Sequence, residues 1–111
     1  MSKYHSKKTT IYGITFDSKR EADRYCELRL LEMAGKIKDL RLQYQFILQP
    51  PFRKNGKSIR AITYVADFVY CDLERMRIVV EDVKGYKTKE YMLKRKMFEY
   101  KFPDLTIVEI K

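Results

Sequence analysis

Apolar positions change between helical and strand periods along the chain, and each stretch predicts its own element or elements. Residues 11–16, IYGITF, suit a short extended piece kinked at Gly13. Ser18 followed by Glu21 is a capping-box signature, and Ala22, Tyr25, Cys26, Leu28, Leu31 and Met33 then supply an apolar stripe. Gly35 reads as a left-handed C′ residue, so a helix is predicted over about 19–34. Residues 37–49 alternate in part and predict one bent strand from about 40 to 48, stopped by Pro50 and Pro51. A basic turn follows around Asn55-Gly56. Residues 59–71 and 77–83 predict two long strands joined as a hairpin. Residues 88–101 have helical composition, with Tyr91, Leu93, Met97, Phe98 and Tyr100 on the apolar side, and Phe102-Pro103 ends them. Residues 105–110 predict a last short strand. Helix, three strands, helix, strand reads as an α/β sandwich with a mixed sheet. A flexible basic tail over 1–10 and a single domain over 11–111 are expected.

The 111 residues fit one modest core, and 45% apolar with 14% aromatic residues argues against a disordered chain. No stretch approaches the roughly 18 apolar residues of a membrane span, so no membrane partner is expected. No apolar signal core follows the basic N-terminus, and two cysteines make no disulfide framework. A cytoplasmic protein with reduced thiols is expected. The lone histidine, His5, leaves a zinc finger or a histidine-based nucleophile without its parts. The formal charge of +9 is unevenly spread. Residues 1–20 carry five basic side chains and one acid, 21–83 eleven and ten, 84–111 eight and four. Two basic zones around an acid-bearing centre suit an anionic polymer gripped on both sides of a site.

That centre holds acids in unexpected places. Strand period puts Val65, Asp67, Val69 and Cys71 on one face, so Asp67 stands in a core-like row and needs a partner, a proton or a metal. A turn centred near 74–75 sets Asp67 opposite Asp82, with Cβ atoms roughly 5 Å apart. Two carboxylates at that spacing repel unless a cation lies between them. Lys84 shares the face of Asp82, whereas a one-residue slip would bring in Glu81 instead. An acid pair with a lysine suits metal-assisted phosphodiester hydrolysis. Asp67, Asp82 and the carbonyl of Val83 would offer oxygens to Mg²⁺, and Lys84 would orient water or stabilise phosphate charge. The structural alternative is an Asp67–Lys84 salt bridge. Glu21 has a capping role, and the first helical turn could also bring it to the metal.

An acid in a first helix, an acid in a strand, then acid-x-lysine in the next strand resembles the PD-(D/E)xK nuclease superfamily, with its restriction-endonuclease-like fold. ITFDSKREADRY (14–25), YVADFVY (64–70), VVEDVKGYKTKEY (79–91) and LKRKMFEYKFP (93–103) together resemble the small phage and prophage proteins of the DUF1064 family. The resemblance implies a nuclease using Mg²⁺, with Mn²⁺ as an alternative, to cut DNA or, less often, RNA. Glu21, Asp67, Asp82 and Lys84 match its catalytic positions. It also implies a phage- or prophage-encoded protein in a bacterial host cell. Two departures stand out: Ala66 replaces the proline of the superfamily's name motif, and aspartate at 82 reaches one methylene less far than glutamate. Glu81 beside it is the alternative ligand.

Lys3, Lys7 and Lys8 in the tail, Arg53, Lys54 and Lys57 in the turn, and Lys87, Lys89, Lys94, Arg95 and Lys96 around the second helix are candidate phosphate contacts. Glu90 stands i,i+4 from Lys94 and offers it an ordinary helix pairing instead. With no separate specificity domain, structure-specific endonuclease action is expected, or specificity borrowed from a phage replication, recombination or packaging partner. A homodimer would set two sites against two DNA strands. Tyr64, Phe68 and Tyr70 read as core opposite Asp67, or as a subunit interface. The competing functions are a non-catalytic DNA-binding protein that keeps the fold and a small protein–protein adaptor.

Overall fold

The computed structural model describes residues 7–111. Its elements are β1 (Thr9–Ile11), β2 (Ile14–Phe16), α1 (Lys19–Met33), β3 (Ile37–Gln49), β4 (Phe52–Lys54), β5 (Lys57–Ile59), β6 (Ile62–Asp72), β7 (Arg77–Val83), α2 (Lys89–Lys101) and β8 (Ile107–Ile110). The main sheet has the order β3-β6-β7-β8. Its first three strands pair antiparallel and β8 joins β7 parallel, so the sheet is mixed, as expected. No helix among the described residues is long and apolar enough to cross a membrane.

Local chemistry sets the boundaries. The Ser18 hydroxyl accepts the Glu21 N–H at 3.1 Å and starts α1. At its end the Lys36 N–H bonds the Leu31 carbonyl and the Gly35 N–H bonds that of Glu32. This Schellman closure needs Gly35 at φ 75°. Thr88 caps α2 in the same way, accepting the Tyr91 N–H at 3.0 Å. Asp72 turns β6 into β7 by accepting the N–H groups of Glu74 and Arg75.

The helices cover opposite faces of the sheet. Along β7, Val79 packs with the group around α1 (Ala22, Tyr25, Leu28, Ile37, Phe68, Tyr70), and Val80 packs with the group around α2 (Tyr91, Phe98, Leu48, Tyr64, Ala66, Ile107). Successive strand residues face opposite ways, so the two groups are the two sides of one sheet. Phe98 is fully buried among Phe46, Tyr64 and Phe102. Phe98→Ala is expected to lower unfolding free energy by about 3–5 kcal/mol in urea titration.

Several expectations change. Residues 11–16 are not one kinked piece: Tyr12 and Gly13 both take positive φ and form a two-residue hairpin turn. That hairpin starts at Thr9, so residues 9 and 10 of the expected tail are in a strand. The basic turn at 53–58 is a separate hairpin, β4–β5, and it claims Lys57–Ile59, so β6 begins only at Ile62. Leu105 bonds back to the Phe102 carbonyl, which delays β8 to Ile107.

Tyr64, Phe68 and Tyr70 are core, but not on one face. In β6, Tyr64 and Ala66 side with α2, whereas Phe68 and Tyr70 side with α1. In β3, Phe46 and Leu48 side with α2, whereas Leu40 and Leu42 side with α1. Both strands therefore change sides between residues 42 and 46 and between 66 and 68. Gln43, at φ 50°, and Asp67 sit at that crossover. The row containing Asp67 is accordingly not uniformly core: Val65 is 44% exposed and Cys71 half-buried.

Candidate active site

The crossover opens a cleft of about 710 Å³ between the start of α1, the middle of β6 and the end of β7. Glu21, Asp67, Asp82, Val83 and Lys84 all line it, together with Val65, and Lys8, Asp17, Arg20 and Lys111 lie around them. The four side chains singled out by the resemblance thus share one cleft. The β6–β7 pairing runs as far as Phe68↔Glu81, and one step beyond it on each strand stand Asp67 and Asp82.

Each acid has a different setting. Asp67 Oδ2 accepts the Val83 N–H at 2.8 Å, a side-chain bond where the β6–β7 ladder ends. Asp82 is buried; its Oδ2 accepts the Tyr64 hydroxyl at 2.6 Å, and its Oδ1 lies 3.4 Å from Lys84 Nζ. Burial pushes Asp82 up to about 7, and neighbouring Asp67 adds to the rise, while Tyr64 and Lys84 oppose it. Glu21 is also buried and pushed up to about 7, by burial first and then by the charges of Asp67, Asp17 and Asp82. The Lys84 ammonium sits 4.3 Å from the centre of the Tyr91 ring, and its backbone N–H bonds Ile110 in β8.

Glu81, the alternative to Asp82, faces the other way. Arg24 of α1 grips its two oxygens at 2.8 and 2.7 Å, and the Tyr70 hydroxyl donates to it as well. It is buried beneath α1 and does not line the cleft. The salt bridge weighed for Asp67 and Lys84 forms instead between Asp82 and Lys84.

Three side chains escaped the sequence reading. Gln43 Nε2 donates to Glu21 Oε2 at 3.2 Å and to Asp67 Oδ1 at 3.1 Å, tying α1 to β6. Only the broken alternation of LRLQYQF marked its position. Tyr64 and Tyr91 read as core, and they are buried, yet their polar ends hold Asp82 and Glu109.

The family model described as a protein of unknown function, DUF1064, matches residues 1–111. The chain belongs to the DUF1064 family. No curated protein and no solved structure matches it. The candidate phosphate contacts of this DUF1064 chain fall into distinct groups. Lys3 lies outside the described residues. Lys7 is exposed, while Lys8 pairs with Asp17 at 3.0 Å beside the cleft. Around α2, Lys94 pairs with Glu90, and Lys87 and Arg95 both grip Glu109. Lys89 and Lys96 are exposed there. Arg53, Lys54 and Lys57 are exposed on β4–β5, away from the cleft lining.

Proposed function

We propose that this DUF1064 chain is a divalent-metal-dependent DNA endonuclease of the PD-(D/E)xK superfamily, with a restriction-endonuclease-like fold. The observation that carries the reading is the convergence of Asp67, Asp82, Lys84 and Glu21 in one cleft at a face change of the sheet.

The donor set fits Mg²⁺, or Mn²⁺ in its place. Asp67 and Asp82 line the same cleft, and two of the cleft acids, Glu21 and Asp82, are pushed up to about 7. A hard cation relieves that repulsion, and Mg²⁺ takes few carboxylates while keeping several waters. Asp67 and Asp82, with the Val83 carbonyl and Glu21 beside them, would hold it. A bound cation would polarise the scissile phosphate and acidify its water. Lys84, fixed between Asp82 and the Tyr91 ring, stands where it can orient that water or stabilise charge on the phosphate. Arg20 and Lys111 offer positive charge to the substrate backbone.

One observation favours a non-catalytic DNA-binding protein. The cleft acids already have protein partners, and no group of three His, Cys, Asp or Glu side chains among the described residues forms a ready metal cage. Cleavage separates the two readings. The purified protein is expected to cut supercoiled, linear, branched or single-stranded DNA in Mg²⁺. Cutting should vanish with chelator and in Asp67→Ala, while DNA binding by gel shift stays within about threefold. Normal binding without cleavage by the unaltered chain would leave the binder.

A further inference from the structure

Resting on the nuclease reading for its substrate, we infer that the β4–β5 hairpin is an arm that enters the major groove of double-helical DNA beyond the cut site. β4 and β5 form their own two-stranded sheet, and every residue from Pro50 to Arg60 is exposed. The arm carries Arg53, Lys54, Lys57 and Arg60, and the sequence has no acid between Leu40 and Ala66. Among the described residues none of these four cations is in an ion pair, and the arm itself holds no acid that could pair them.

The placement of Lys54 and Lys57 has no internal explanation. Lys54 and Lys57 are direct cross-strand partners next to the turn. Like charges directly opposed weaken a hairpin, so this pair is better satisfied by an anion than by the arm itself. The arm is nevertheless built to hold its shape. Asn55 and Gly56 both take positive φ, and Arg53 bonds the Gly56 carbonyl at 3.0 Å and the Ser58 hydroxyl at 2.8 Å. Phe52 and Ile59 pair across the strands at the base, on the face that carries the lysines.

Width selects the groove. Two strands about 4.8 Å apart, with side chains, fit a major groove about 12 Å wide and not a minor groove about 6 Å wide. The major groove of A-form RNA is too narrow. Reach fits as well. The arm hangs from β3 and β6, the strands that carry Gln43 and Asp67. Ile62 at its root is five residues from Asp67, roughly 17 Å along the strand. A scissile phosphate in the cleft therefore leaves the arm to meet the same duplex within about one helical turn of roughly 34 Å.

The test is fluorescence anisotropy with labelled 30-mer probes, single-stranded DNA, duplex DNA and duplex RNA, in Ca²⁺ to suppress cutting. Lys54→Ala/Lys57→Ala is compared with Arg75→Ala/Arg77→Ala, which removes the same charge from the exposed β6–β7 end. The arm variant should lose about tenfold in duplex-DNA affinity at 0.1 M salt, with a salt slope shallower by about 2. Its single-strand affinity should change less than threefold, and the control variant should match the parent. Equal losses on all three probes, equal losses in both variants, or no loss would overturn the arm. Both variants should keep the parent's circular dichroism spectrum and unfolding midpoint. A parent that never cuts, but loses duplex binding in the arm variant, would end the nuclease reading and leave the arm standing. Normal cutting and duplex binding by the arm variant would do the reverse.

Discussion

Asp82→Asn is expected to abolish cleavage and, in the same protein, to stabilise the fold at pH 8. Losing even an outer partner of a metal ligand costs about 10–100-fold, and a direct ligand is worth more, so cutting should fall by well over a hundredfold. The stability gain follows from burial. Asp82 is raised from its ordinary 3.8 to about 7. Between those values the folded chain keeps a proton that the unfolded chain has lost, so stability falls as pH rises from about 4 through 7. At pH 8 the acid is ionised in both states and the penalty is complete. Asparagine carries no such charge and still offers an oxygen to the Tyr64 hydroxyl, which donates to Asp82. The variant should gain on the order of 1–2 kcal/mol at pH 8, with the difference closing below pH 4. Glu21, also raised to about 7, gives the parent a second loss of stability in the same direction and window. Protons compete with a cation for these acids, so cleavage by the parent should fall as pH drops below 7, and Mg²⁺ should raise its melting temperature most at high pH. Thermal melts at pH 4 and 8, with and without Mg²⁺, check this. A variant less stable at pH 8, or one that cuts normally, would remove Asp82 from the site.

Much of this was legible in residues. The caps at Ser18 and Gly35, the long antiparallel pair and its turn position led from local rules to Asp67 and Asp82 at one end of the same strand pair. These depend on short-range chemistry and on a period of two. The side change at Gln43 and Asp67 was not legible, because it needs two strands to lose alternation together, and each alone reads as an imperfect strand. Gln43 was missed for that reason: its role comes from a left-handed backbone position, which no glycine announced. Tyr64 was assigned to the core correctly, but burial of a ring does not say where its hydroxyl ends. Charge was the least legible part. Lys87 and Arg95 read as basic surface, yet both are tied to Glu109 of β8, whereas the Lys94–Glu90 pair was visible in its spacing of four.

Arg24→Ala is expected to cost about 3–5 kcal/mol in stability while leaving cleavage per folded molecule unchanged. Arg24 supplies both guanidinium contacts to Glu81, which is 1% exposed. Its removal strands a charge in the core, and stranding a partner costs more than the pair is worth. The reverse change, Glu81→Gln, should cost less, because Arg24 is partly exposed and keeps Glu27 at 2.9 Å. A double replacement, Arg24→Met with Glu81→Leu, should recover much of the loss, since neither charge then remains to be paired. Urea titrations give the stabilities, and initial cutting rates normalised to folded protein give the activities. Asp82 and Glu81 are adjacent in sequence, yet this comparison separates them by chemistry: one destabilises its site and is needed for cutting, the other stabilises its face only while Arg24 is present. An Arg24→Ala chain that stays stable but stops cutting would mean that Glu81, not Asp82, serves the phosphate, and that β7 is turned by one residue from the arrangement described.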